Sequence, residues 1–207
     1  MKTLTKEMQS AISPTMALNL LKDGNKRFVN NLKINRNLLQ QANDTSDGQH
    51  PFAVILSCID SRTSAELIFD QGLGDIFSVR IAGNIVNEDI LGSMEFGCKV
   101  AGAKIIVVLG HTKCGAVKGA CDNVALGNLT SLISKIKPAV EQETTTTENR
   151  NSSNSTFVEN VAELNVSLSV KNILLKSPII AEMVKKEEIT IVGGVHNISS
   201  GEVKFFE

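Results

Sequence analysis

The sequence predicts an α/β fold: a central, mostly parallel sheet of four strands plus a short edge strand, flanked by helices and preceded by an N-terminal helical arm. Three observations carry this. Short apolar runs, 53–56 and 105–109 the clearest, have the pattern of strands buried on both faces. Segments with apolar residues at helical spacing lie between the strands, the alternation expected of a parallel sheet. Two of the strands also end in reactive side chains: Cys58, Asp60 and Arg62 after the first run, His111 and Cys114 after the other. In an open parallel sheet, sites lie beyond the C-terminal strand ends, in the crevice where chain order reverses.

Taken in order, residues 1–12 read as a loose lead-in. Pro14 opens a helix with Met16, Leu20 and Leu21 on one face, closing near Gly24, and residues 24–32 form a second short helix. Residues 35–50, rich in Asn, Gln, Asp and Gly, read as an exposed loop. Strand one covers 52–57. Thr63 and Glu66 have the spacing of a capping box, so a helix is expected directly after Arg62. Strand two is 76–81. Asn87 caps a helix over 88–101 that Gly102 stops. Strand three, about 104–110, leads into a helix through Cys114, and a further helix carries Leu129, Leu132, Ile133 and Ile136. Residues 144–156, Thr/Asn/Ser-rich, are a polar surface loop, and apolar helical spacing resumes at Phe157, Val161, Leu164 and Leu168. Ser177-Pro178 starts another helix, 189–195 is strand four, and 202–206 is the short edge strand.

At 207 residues the chain is expected to form one domain, 1–207, with 1–34 as the helical arm. A net charge of −1 leaves no basic footprint for nucleic acid. No run approaches the ~20 apolar residues of a membrane helix. The first fifteen residues hold no leader-like apolar stretch, Glu7 interrupting the little there is, so the cytoplasm is the expected compartment. In that setting the four cysteines, 58, 98, 114 and 121, point to metal or catalysis rather than disulfides.

Singly, a Cys ending an apolar strand is an ordinary buried hydrophobe, and a single His is usually structural. Together, C-x-D-S-R and H-x-x-C at the ends of two neighbouring strands read as one zinc site. Two thiolates and an imidazole suit zinc, and three protein ligands leave the fourth tetrahedral position open, as in catalytic sites. Cys98 and Cys121 fall within helices and read as core or surface residues. The H-E-x-x-H of metalloproteases is missing, as is the H-x-E/P-C-x-x-C pair of base deaminases. The glycines of GHTKCGA lack the Lys-Ser/Thr of a phosphate loop.

These residues resemble the β-class carbonic anhydrases. The likeness includes SCIDSR (57–62), DQGLGDIFSVRIAGN (70–84), GHTKCGAVKGA (110–120) and IVGGVHNISSGEV (191–203), and spans most of 14–143 and 157–206. It implies zinc on Cys58, His111 and Cys114, with Asp60 and Arg62 as a catalytic dyad and Gln49 and Phe77 in the substrate pocket. The activity implied is reversible hydration of carbon dioxide to bicarbonate and a proton by zinc-activated water. The family's pocket lies at a dimer interface, so a homodimer is expected, and the family's dimers commonly pair into tetramers. COS or CS2 hydrolysis on the same zinc, or a non-catalytic zinc protein, are the alternative readings. Two departures stand out. Phe96 occupies a pocket position that is Tyr in many members. The Trp-Arg-Tyr set of a regulatory bicarbonate site in some bacterial members becomes Ile55, Arg80 and His196, so that site is not carried over. Asp60 is therefore expected to pair with Arg62 rather than close onto the metal.

Overall fold

In the computed structural model, which describes residues 3–206, the chain begins with three helices: α1 (Lys6–Ser10), α2 (Pro14–Val29) and α3 (Leu38–Asp44). The lead-in is thus not wholly loose. Thr5 caps α1, and the buried Gln9 donates from Nε2 to Pro51 O (2.7 Å) and Ala101 O (2.8 Å), tying the helix to the segments that enter two interior strands of the sheet. Ser13 caps α2 with Pro14 at its first position. This helix runs through Gly24 instead of stopping there. A Cβ on Gly24 would lie 1.8 Å from Phe69 O, so the glycine serves close backbone approach rather than termination. Inside the expected 35–50 loop, α3 forms because Asn37 caps it and Gln41 turns inward, accepting from Leu73 N.

Next come β1 (Ala53–Ser57), α4 (Ala65–Ile68), β2 (Ile76–Arg80), α5 (Glu88–Glu95) and β3 (Ile105–His111). The capping box fails. The Thr63 hydroxyl donates back to Cys58 O (3.2 Å) and Asp60 O (2.9 Å), so α4 starts later, after Ser64, and lasts barely a turn. Asn87 does cap α5. That helix loosens into a π-turn, Phe96–Val100, before Gly102 ends it with φ +86°. The chain closes with α6 (Gly115–Cys121), α7 (Gly127–Ser134), α8 (Lys137–Gln142), α9 (Ser155–Lys176), α10 (Pro178–Lys185), β4 (Thr190–His196) and β5 (Val203–Phe206).

The strands lie in the order β2-β1-β3-β4-β5, the first four parallel and β5 antiparallel against β4. Chain order therefore reverses at β1, between β2 and β3, which opens the crevice at their C-terminal ends. β1 and β3 are buried along their whole length. One face (Val54, Leu56, Ile106, Val108) packs on α5, α9 and α10, and the other (Ala53, Ile55, Ile105, Val107) on α2 and α4. A third cluster, including Val117, Ile133, Ile136, Phe157 and Val161, lies around Cys58 and Cys114 and forms the floor of the crevice. Among the described residues no helix is long and apolar enough to cross a membrane.

Candidate metal centre and active site

Each ligand candidate sits where a strand gives way to a turn. Cys58 follows β1, His111 is the last residue of β3, and Cys114 caps α6. All three are buried, and their ligand atoms lie within 4.8 Å of one another. His111 Nδ1 is 2.9 Å from Thr112 O. A carbonyl only accepts, so Nδ1 carries the proton and Nε2 is left with a free lone pair. That Nε2 is buried without a hydrogen-bond partner among the described residues. An orphaned imidazole nitrogen beside two thiols is a donor set that fits a metal ion, zinc above all. The hydrogen bond from Cys114 draws the Cys58 thiol down towards the thiolate, and the same contact pushes Cys114 up.

The turn after Cys58 is held on three sides. Arg80 donates from Nε to Cys58 O (3.0 Å) and from Nη2 to Asp60 O (2.7 Å). Thr63 closes the turn from within. Gly83 N donates to Cys58 Sγ at 3.4 Å, from a left-handed backbone (φ +66°) in the short turn Ala82–Asn84. A side chain there would also meet Ile136 Cδ1 at 2.6 Å, so glycine is required twice over. The buried amide of Asn165 on α9 binds Gly83 O at 2.9 Å.

Asp60 and Arg62 form a two-pronged pair, Nε to Oδ1 at 2.9 Å and Nη2 to Oδ2 at 2.7 Å, with Arg62 N also donating to Oδ1 (3.0 Å). The Arg62 hydrogen bonds hold the Asp60 carboxyl well below the usual carboxylate range. The pocket residues are placed differently. Phe77 and Phe96 meet edge to face, ring centroids 6.3 Å apart, in a surface cleft with Glu88 and Asp89. Phe77 pairs in register with Val54, four residues and about 13 Å upstream of Cys58 along the strand. Gln49 is exposed in the segment entering β1, at the end opposite Cys58. The structure thus gathers Cys58, His111, Cys114, Asp60 and Arg62 at one strand end, and Phe77 with Phe96 elsewhere.

A family model for carbonic anhydrase matches residues 53–203. The chain belongs to the carbonic anhydrase family. It is 33% identical over 193 residues to a carbonic anhydrase of Mycolicibacterium smegmatis, covering 93% of each chain. Against carbonic anhydrase 2 of Mycobacterium tuberculosis it is 34% identical over 190 residues, 91% of each. Among solved structures, the β-carbonic anhydrase CafA of Aspergillus fumigatus superposes with a TM-score of 0.72 at 26% identity, covering 82% of this chain and 81% of that one. Tetrameric β-carbonic anhydrases of Sordaria macrospora give 0.70 at 25% identity, with 78% and 83% covered. By fold and by sequence the chain is a carbonic anhydrase of the β class. Arg80 and Gly83 lie within 70–84 and Asn165 outside the quoted motifs, but what each does escapes a reading by motif: they act on backbone atoms or on Sγ from 20 to 82 positions away in sequence.

Proposed function

We propose that zinc is held by Cys58, His111 and Cys114, and that the protein catalyses reversible hydration of carbon dioxide to bicarbonate and a proton. Carrying this reading is the orphaned His111 Nε2 between two thiols, beside an ionised carboxylate pinned by arginine. Zinc in a site of this kind supplies Lewis acidity and brings a water's pKa towards neutrality. The chain's own residues supply orientation. His111 is locked in one tautomer and rotation by Thr112 O. Asp60, ionised at neutral pH and held in place by Arg62, can only accept. It takes a hydrogen bond from the attacking oxygen and aims that oxygen's remaining lone pair at the carbon of the substrate. A purely structural zinc site would need no such charged pair at its rim.

The pocket reading places Gln49, Phe77 and Phe96 against a small apolar molecule, the phenyls excluding water and Gln49 available to a substrate oxygen. Because Phe77 lies so far from its own chain's Cys58, we assign these residues to the partner's site in a homodimer. Supporting this are the apolar side chains left uncovered on one chain: Met16 on α2 (50% exposed), Phe96 (55%) and Val100 (73%). The tetramers of Sordaria macrospora make a dimer of dimers the further expectation. We take the chain as one domain, and the four buried free thiols fit a reducing cytoplasm.

Stopped-flow hydration of CO2 by zinc-loaded and chelated protein tests the reading, with COS and CS2 in parallel. The expected result is zinc-dependent hydration of CO2 that Asp60→Asn abolishes. Turnover of COS or CS2 with no CO2 hydration would reassign the substrate, and inert zinc-loaded protein would overturn the enzymatic reading of this site.

A further inference from the structure

The inward face of α9 is apolar, with Phe157, Val158, Val161, Ala162, Val166 and Ile173 all buried. Asn165 interrupts it, 4% exposed. A buried amide on such a face is kept only where it has a partner, and its Nδ2 donates to Gly83 O at 2.9 Å. Gly83 is the residue whose N–H points at Cys58 Sγ. One turn further along α9, the Ser169 hydroxyl reaches Asn84 O at 3.5 Å, a longer bond to the neighbouring carbonyl. The short turn Ala82–Asn84 is therefore hung from α9, with Asn165 as the stronger tether.

We infer that Asn165 is a positioning residue for the metal centre: through Gly83 it aims the N–H that hydrogen-bonds Cys58 Sγ. The inference rests on the zinc reading above. An N–H donated to a thiolate is a charge-assisted bond. It fixes the sulfur's direction and draws charge from it, which tunes the ion the sulfur binds. Without the tether the left-handed turn keeps its glycine but loses the anchor that sets its aim. The sulfur then becomes more basic and less well placed.

The test compares wild type with Asn165→Leu, which keeps the branched heavy-atom shape and removes the donor, and with Asn165→Ser, whose hydroxyl is too short to reach Gly83 O. Ser169→Ala is the control for loosening α9 without touching the Gly83 tether. Zinc affinity is measured by chelator competition, and the thiolate-to-metal charge-transfer band is recorded on cobalt(II)-substituted protein. Outer-shell losses of this kind cost about 10–100-fold in metal affinity. That weakening is expected in the Asn165 variants, with the charge-transfer band moved to lower energy and Ser169→Ala unchanged in both. If Asn165→Leu fails to fold, Asn165→Ser supplies the same two readouts. Wild-type affinity and an unshifted band in the folded Asn165 variant, even with a lowered Tm, would reduce Asn165 to a structural amide and overturn this inference alone. Wild type that takes up neither ion would overturn the zinc reading itself, and the inference with it.

Discussion

Cys58 and Cys114 face each other at the strand ends, whereas Cys98 is buried in the apolar core and Cys121 ends α6 beside the charged groups of Asp122, Glu143 and Arg150. Burial pushes the Cys98 thiol up to about 12 and the Cys121 thiol up to about 11, and among the described residues neither belongs to a cluster of three ligand groups. Metal analysis should therefore find about one zinc per chain in wild type, Cys98→Ser and Cys121→Ser, and a loss of tenfold or more in zinc affinity in Cys114→Ser. Full zinc occupancy in Cys114→Ser at limiting metal would remove Cys114 from the ligand set. The dyad has a different signature. Asp60 has a depressed folded pKa, so the pair's contribution is present above the ordinary carboxylate value near 3.8 and is lost only as pH falls below it. Removing the guanidinium in Arg62→Gln returns Asp60 towards that value, still ionised at pH 7. Activity should then fall about 100-fold or more across pH 6–9, with no shift of the acidic limb, because aim is lost and charge is not. Recovery of full rate at high pH would show that Arg62 acts on ionisation instead. The Cys58-His111-Cys114 cluster and the Asp60–Arg62 pair were legible because their residues lie in two short motifs. The roles of Arg80, Gly83 and Asn165 were not, since they depend on backbone and sulfur atoms that only the folded chain brings near.

Elements were legible where one physical signal dominated. The buried strands read correctly from apolar runs, and α10 from Ser177-Pro178. Misreadings came where one residue type has two uses: Gly24 as close approach rather than stop, and Thr63 as a turn-closer rather than a cap. The Thr/Asn/Ser-rich stretch is a further case. Its residues build no core, yet they wrap a buried carboxylate. Glu143 accepts from Thr145, from Thr146 N and hydroxyl, from Asn160 Nδ2, and from Arg150 Nη1 at 2.8 Å, while Arg150 lies 4.6 Å over the Phe157 ring. Burial alone would raise the Glu143 carboxyl, but its donors outweigh that and bring it down to about 2. A lowered folded pKa stabilises above the ordinary carboxylate range and ceases to as pH falls towards the folded value. Glu143→Gln should thus cost about 1–3 kcal/mol at pH 7, read as a Tm lower by several degrees. The gap to wild type should close between about pH 4.5 and 2. Limited proteolysis should cut the variant sooner within 144–154. A gap in Tm that is the same at pH 7 and pH 2.5 would show that packing, not the carboxylate, holds the loop.

On the scale of the whole molecule, the informative fact is the separation of two groups that the proposed reaction brings together. The Cys-His-Cys cluster lies beyond the C-terminal end of β1, and Phe77 lies near that strand's other end, packed against Phe96. In one chain they cannot line the same pocket; in a two-fold dimer each chain can lend its phenyls to its partner's metal. Mixed dimers separate these arrangements. Cys114→Ser chains lack a metal site but carry intact Phe77, and Phe77→Ala chains bind metal but lend a damaged wall. Each homodimer should be nearly inactive. Co-refolded one to one, random pairing makes about half the dimers mixed, and one of the two sites in each is complete, so about a quarter of wild-type activity should return. A pocket built within one chain would give no such return, since every Phe77→Ala chain would then carry its own damaged pocket beside its intact metal. The recovered fraction should also fall on dilution through the dimer dissociation range, with light scattering reporting the same midpoint. Activity that persists undiminished where scattering shows only monomer would place the whole site on one chain.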